Sequence, residues 1–340
     1  MKRNSYYDNH GLSQSELKQY LALNPQNISE EVEEDLWYTE KKSFQLGDAV
    51  DILVCPGNTE AFNEMYFCSE LVKEQKPSDK ALGVLHLAYD IYKESEEVTY
   101  NECVLSAARE LGWNPKWGDE AVVKNLTKFE DYFEDLKKAE GKIVFTQEDK
   151  SLVDQLVMAI RTHENTSWLY EGEVNGSKVE THWQLPLYFT FDSKECKALL
   201  DLVLIDEEHK IIYPFDIKTT IEPMANFEKS VRTFRYDIQA AWYTEALRRC
   251  YPEYQIMPFG FVVVSKVERV TVPQILYLTV EDMEVAMYGR SPIIYENVEI
   301  RSRVPGIIDL LNIYDIYQEK GTNVHHTLLG SDANCLKVWG

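Results

Sequence analysis

Apolar positions recur at helical spacing over the first half of the chain and change after Gly172 to alternation and to short continuous apolar runs. Leu17, Tyr20 and Leu21 follow Ser13 and Ser15, either of which suits a helix N-cap, so a short helix is predicted there. Residues 44–54 read as a buried helix carrying one carboxylate, Asp51, among apolar neighbours. Such a carboxylate is either capped and paired or a ligand. Leu82, Leu85, Ala88 and Ile91, then Cys103, Ala107 and Leu111, carry a helical pattern over 79–110 that Gly112 and Pro115 close. Residues 119–141 predict an amphipathic helix with Phe129, Tyr132, Phe133 and Leu136 on its apolar face, ended by Gly141. Thr146 to Asp149 caps another, with a stripe of Leu152, Leu156, Ala159 and Ile160, that runs to His163. His163 fits a capped surface residue, a core histidine or a site residue.

Beyond Gly172, residues 179–185 alternate with period two and place Glu180, His182 and Gln184 on one face of a strand. Residues 198–205 form an apolar strand interrupted once, by Asp201. A strand of this kind is buried on both faces, and an unpaired carboxylate inside it costs several kcal/mol or is forced to protonate. A metal or a strong partner is therefore expected. Residues 206–209 make the turn, and 210–218 return with Asp216 and Lys218 on one face and Ile217 on the other. Pairing the hairpin brings Asp201 beside Asp216. Two carboxylates at that range repel unless a divalent cation sits between them, and oxygen-only ligation favours Mg²⁺ or Mn²⁺. Pro214 predicts a bulge or a sheet edge just before Asp216. One helix is expected over 226–249, with Arg232, Arg235, Gln239 and Tyr243 in a stripe beside Phe227, Val231, Phe234, Ile238 and Trp242. That stripe suits donors to phosphates; for the helix taken alone, a salt-bridged surface face explains it slightly better. Strands over 258–265 and 274–280, helices from 281 and over 305–319, and a loop from 321 complete the pattern, with His325 and His326 as an exposed pair.

At 340 residues, 44% apolar and 12% aromatic, the chain can bury a sizeable core as one large domain or two ordinary ones. It has no run of about 18 apolar residues, and the first eight residues are polar, so neither a membrane span nor secretion is supported and a cytoplasmic location is expected. The six cysteines are scattered without a CxxC pair and read as reduced packing residues. Acidic residues number 57 against 35 basic ones, and the net charge of −22 opposes long-range attraction to nucleic acid. The charge is segregated, however. Lys218, Lys229, Arg232 and Arg235 lie around the carboxylate hairpin, whereas acidic residues crowd 29–35, 119–139 and 281–299, which suits a basic groove inside an acidic surface.

The order Asp201, then Asp216-Ile217-Lys218, then Gln239-Ala-Ala-Trp-Tyr243 resembles the PD-(D/E)XK nuclease core with the QxxxY helix of the RecB-like branch. Residues 12–17, 44–51, 145–149 and 160–163 are similar, in this order, to segments of RecE-type (exonuclease VIII-like) enzymes of phages and prophages, so the likeness covers most of residues 10–250. It implies an α/β fold with a mixed central β-sheet flanked by helices: a restriction-endonuclease-like core over 146–300, a mainly helical portion over 1–145 that contributes Asp51 to the site, and a C-terminal helix and tail over 301–340. The implied activity is two-metal hydrolysis of DNA by a double-strand exonuclease that makes single-stranded tails for recombination. Asp201, Asp216 and the Ile217 carbonyl would hold Mg²⁺ or Mn²⁺, and Lys218 would orient or activate the attacking water. Gln239 and Tyr243 would hold DNA or the site geometry, with Arg232 and Arg235 toward phosphates. Glu180 corresponds to the family's upstream acidic residue and His163 to its histidine, while Asp51 stands where the family usually has a histidine ligand. The iron–sulfur variant of the branch needs clustered cysteines near the C-terminus; only Cys335 lies there, so no iron–sulfur cluster is expected. The likeness further implies DNA and a single-strand annealing protein as partners, a homo-oligomeric ring, and a bacterial or phage-infected cell. A single-strand- or structure-specific nuclease on the same core is an alternative. So is a non-catalytic DNA-binding module, against which the retention of Asp201, Asp216 and Lys218 together argues.

Overall fold

Two sets of apolar stripes bury separately in the computed structural model of the chain, giving one unit of Val32–Ala159 and another that joins Met1–Glu31 to Ile160–Gly340. The structure describes residues 6, 9–23, 45–71, 77–95, 97–268, 271–295, 298–301 and 303–320. The acidic stretch 29–35 and the pair His325 and His326 lie outside them. Among the described residues no helix is long and apolar enough to cross a membrane.

The chain opens with α1 (Gln14–Lys18), which belongs to the second unit. The first unit is helical: α2 (45–54), α3 (Thr59–Met65), α4 (Asp79–Glu94), α5 (Tyr100–Glu110), α6 (Asp119–Leu126), α7 (Glu130–Ala139) and most of α8 (Gln147–Thr162), with a short parallel pair β1 (Tyr66–Cys68) and β2 (Ile143–Phe145). The single helical pattern over 79–110 is two helices, because Thr99 and Glu102 form a reciprocal capping box that starts α5 afresh. The pattern over 119–141 is likewise broken, by a 3₁₀ turn at Thr127–Phe129. Phe133 lies at the heart of this unit, fully buried, with the edges of Tyr89, Tyr92 and Tyr100 on its ring.

The second unit holds a mixed six-stranded sheet flanked by helices. After a small hairpin of β3 (Glu173–Val174) and β4 (Ser177–Lys178), β5 (Glu180–Phe191), β6 (Lys194–Asp206) and β7 (Ile211–Thr220) form an antiparallel meander. β5 runs six residues past its expected end to Asp192 and Ser193, both at positive φ, as a two-residue hairpin turn requires. Helices α9 (Phe227–Phe234) and α10 (Tyr236–Cys250) carry the chain over, so that β9 (Gly260–Ser265), after the two-residue β8 (Gln255–Ile256), pairs parallel to β7, and β10 (Gln274–Tyr277) pairs antiparallel to β9. Gly260 is required where it stands: a Cβ there would lie 2.7 Å from the ring of Phe215, its partner on β7.

Trp242 of α10, fully buried against Phe189 and Phe191, donates its indole N–H to the Lys197 carbonyl at 3.0 Å, so its one polar group enters the core satisfied. α11 (Val280–Tyr288), the pair β11 (Ile293–Tyr295) and β12 (Val298–Arg301), and α12 (Ile307–Lys320) follow. Ala286, Ile307, Leu310 and Leu311 enter the same core as Leu12 and Leu17. Apolar residues from both ends of the described chain are thus buried together with those of the sheet.

Candidate active site

β6 and β7 are paired from Asp206↔Ile211 to Leu202↔Phe215 and then separate. β7 continues along β9, and the vacated side of β6 is taken by Leu12, whose N–H donates to the Glu195 carbonyl (2.8 Å) and whose carbonyl accepts from Lys197 N–H (2.9 Å). Asp201 and Asp216 are the first residues past the last pair, so both carboxylates stand at this fork. On β6 the core residues are Cys196, Ala198 and Leu200, then Val203 and Ile205; the alternation slips by one at Asp201. Gln184 lies opposite Asp201 between the pairs Trp183↔Leu202 and Leu185↔Leu200, outside the ladder, with φ +51 in mid-strand. Irregularities of this kind re-aim a side chain, and a left-handed glutamine stores strain. Pro214 produces neither the bulge nor the edge expected of it on the β6 side, where it is paired with Val203 in unbroken register. On the other side it falls between the ladders to β8 and β9, where pairing is already interrupted.

Each carboxylate is held by identified donors. Asp201 Oδ1 accepts from Gln184 Nε2 (3.0 Å) and Oδ2 from the main-chain N–H of Ile217 (2.9 Å). Asp216 is 1% exposed, and its Oδ1 accepts from Gln239 Nε2 at 2.7 Å. Its Oδ2 lies 2.5 Å from Nζ of Lys218 yet accepts no well-directed hydrogen bond. Burial pushes Asp216 up to about 7; Lys218 opposes this, and the nearby Asp201 carboxyl adds to it. Gln239 Nε2 also donates to Tyr243 Oη (3.3 Å), one turn along α10, so a single amide ties the carboxylate to the phenol. Burial, then the charges of Asp216 and Asp201, hold Tyr243 well above its ordinary value, and its hydroxyl stays protonated. Nζ of Lys218 sits 4.9 Å over the ring of Tyr236. A second ammonium belongs to this neighbourhood: Lys18, at the end of α1, donates to the Phe234 carbonyl (3.2 Å). Burial first, then Lys218, lower it to about 8.

The structure thus gathers Asp201, Asp216, Ile217, Lys218, Gln239 and Tyr243. Other expected site residues of this unit are placed elsewhere. The single helix over 226–249 is two helices, broken at Arg235, which adopts φ +49. Its guanidinium binds Asp237 through two nitrogens and donates to the Pro305 carbonyl, so it braces the break instead of facing outward. Arg232 is exposed, 3.6 Å from Glu228 one turn earlier. Glu180 opens β5, exposed, with His182 Nε2 at 3.5 Å. It pairs with Ile205, about 13 Å along the sheet from Asp201 at the usual strand rise. Gln184 occupies the place beside Asp201. His163 follows the last turn of α8, and its Nδ1 accepts from Asn165 N–H (3.2 Å). Asp51 is on α2 of the other unit, half-buried. Gln184 and Lys18 carried no site role in the sequence; only the strand face shared by Glu180, His182 and Gln184 could have pointed to the first.

Two close carboxylates, one with an oxygen lacking a directed donor, fit a hard divalent cation of the Mg²⁺ type, which takes one or two carboxylates and completes its shell with water and phosphate. Among the described residues no three histidine, cysteine or acidic side chains converge. A cleft of about 750 Å³, lined by residues that include Trp168, Tyr213, Phe215 and Tyr277, contains neither Asp201 nor Asp216.

No protein-family model matches the sequence, and no curated protein matches it. A crystal structure from Eubacterium rectale, designated "Putative exonuclease", aligns with a TM-score of 0.33 at 11% identity over 79% of this chain and 84% of that one.

Proposed function

We propose that the chain is a metal-dependent deoxyribonuclease that hydrolyses DNA phosphodiester bonds as a double-strand exonuclease and leaves single-stranded tails. The observation that carries the reading is the fork itself: Asp201 and Asp216 side by side, one of them pinned by Gln239, with the Lys218 ammonium 2.5 Å from Asp216. A binding module has no reason to set a buried carboxylate, Asp216, beside a second, half-buried one, Asp201. Asp201 and Asp216, with the Ile217 carbonyl, hold Mg²⁺ or Mn²⁺, two per site by the family likeness. The cation supplies Lewis acidity toward the scissile phosphate and toward the attacking water. Lys218 orients that water and offsets charge developing on the phosphate. Gln239 and Tyr243 fix the direction of Asp216, and exposed Arg232 meets a DNA phosphate. Assignment as an exonuclease in a homo-oligomeric ring, working beside an annealing protein in recombination inside a bacterial or phage-infected cell, rests on the RecE-type segments of residues 10–250.

The test is incubation of the purified chain with end-labelled linear duplex, single-stranded and closed circular DNA in Mg²⁺ or Mn²⁺, beside Lys218→Ala. Digestion of linear duplex alone, abolished in the variant, is expected. Absence of digestion of every substrate sinks the nuclease reading, equal activity in Lys218→Ala sinks the site, and cleavage of the circle removes the exonuclease assignment.

A further inference from the structure

Ser13 caps α1 through a reciprocal box with Glu16, Leu12 is tied to β6, and Leu17 is fully buried. The short helix is thereby fixed at the fork, and its last residue, Lys18, reaches the break between α9 and α10. An ammonium has three donors. The Phe234 carbonyl takes one; among the described residues the other two find no protein acceptor, and no carboxylate pairs with Lys18. The neighbouring cations are already matched, Lys218 by Asp216 and Arg235 by Asp237. The rings of Phe234 and Tyr236 stack 5.6 Å apart; the Phe234 carbonyl holds Lys18, and Lys218 stands over Tyr236. A half-buried ammonium beside two other cations, with the carboxylates near it, Asp216 and Asp237, already paired to those cations, is unfavourable unless a further anion joins it.

We infer that Lys18 is a substrate-binding residue whose open donors take an oxygen of a DNA backbone phosphate next to the one met by Lys218. This rests on the nuclease reading and extends it: the N-terminal helix supplies a second phosphate contact to a site whose other residues all come from beyond residue 180. Among the described residues, the carboxylates that act on Lys18, Asp216 and Asp237, are already taken by Lys218 and Arg235.

Binding of a fluorescently labelled linear duplex is measured by anisotropy at pH 7 over a series of KCl concentrations, with Ca²⁺ in place of Mg²⁺ so that the DNA stays intact. Wild type is compared with Lys18→Gln, which keeps a donor for Phe234, with Lys18→Met, which keeps the aliphatic stem, and with Lys18→Arg. Both neutral variants are expected to bind about tenfold more weakly, and the slope of log affinity against log salt to become shallower by about 0.9, the contribution of one phosphate contact. Lys18→Arg restores both. A merely structural lysine would not move the slope, so an unchanged slope in a folded neutral variant overturns the inference. Parallel cleavage assays in Mg²⁺ separate the two readings. Wild type that cuts DNA, with an unchanged slope in the variants, removes Lys18 and leaves the nuclease. Wild type that never cuts, with the shallower slope, removes the nuclease and leaves Lys18 as a phosphate ligand. Wild type that binds no DNA removes both.

Discussion

Replacing Gln184 by alanine and, separately, by glycine divides two effects that this residue combines. Its amide donates to Asp201 at 3.0 Å, and its backbone sits at φ +51, where a Cβ is disfavoured. Alanine loses the amide and keeps the strained backbone; glycine loses the amide and relieves the strain. At an ordinary strand position glycine is the less stable of the two by roughly 0.5–1 kcal/mol. Here a left-handed non-glycine residue costs about 1–2 kcal/mol, so the order reverses and Gln184→Gly is the more stable by about 1 kcal/mol. Both lose a hydrogen bond to a carboxylate, worth on the order of 1.5–3 kcal/mol, and both lose the grip on Asp201. Urea denaturation followed by tryptophan fluorescence ranks the variants, and calorimetry reads Mn²⁺ affinity, expected to fall about tenfold in both. Alanine as stable as glycine would refute the strain argument, and unchanged Mn²⁺ affinity would refute the positioning of Asp201 by the amide.

Asp216 gives a pH dependence with a definite sign. Its folded-state value, about 7, lies above the ordinary 3.8, so its contribution to stability is present below about pH 4 and is lost as pH rises toward 7. In EDTA, Asp216→Asn is therefore expected to be more stable than wild type at pH 8, by an amount on the order of a few kcal/mol, and inactive; equal denaturation midpoints at pH 8 would contradict this. Gly260→Ala forces a Cβ to within 2.7 Å of the Phe215 ring and should lower stability by about 1–3 kcal/mol in urea melts, with Mg²⁺-dependent activity falling as the neighbour of Asp216 shifts. Tyr243→Phe removes one acceptor of Gln239 and leaves the other, so a stability loss of about 1 kcal/mol and a kcat within tenfold of wild type are expected; a far larger loss in kcat would mean that the hydroxyl touches substrate.

What was legible in the sequence is what periodicity and chemistry decide locally. One carboxylate in an otherwise apolar strand and a second two residues from a lysine were enough to bring Asp201, Asp216 and Lys218 together, while Gln239 and Tyr243 joined them only through the family likeness. The mixed sheet with flanking helices was expected from the likeness of these residues to the PD-(D/E)XK core. The break at Arg235 was invisible because the apolar stripe from Phe227 to Trp242 keeps its period through it; the left-handed residue is held by Asp237 and Pro305, a tertiary arrangement. Gln184 and Lys18 escaped for a related reason. Their partners lie 17 and more than 200 residues away in sequence, and no local rule relates a polar side chain to a hydrogen-bond acceptor so distant. Leu12, Leu17 and Ile307 show in the sequence only that they are apolar, not which core receives them.

The two main-chain bonds between Leu12 and β6 have a consequence for how the protein is made. Leu12 leaves the ribosome roughly 180 residues before its partners, a wait of about 10–40 s at typical rates of synthesis. Until the N-terminal segment docks, the half of β6 from Lys194 to Leu200 offers an unpaired edge to any other nascent chain. Fusion tags that bury residues 9–18, or deletions that remove them, are thus expected to reduce soluble yield before they touch the chemistry at the fork.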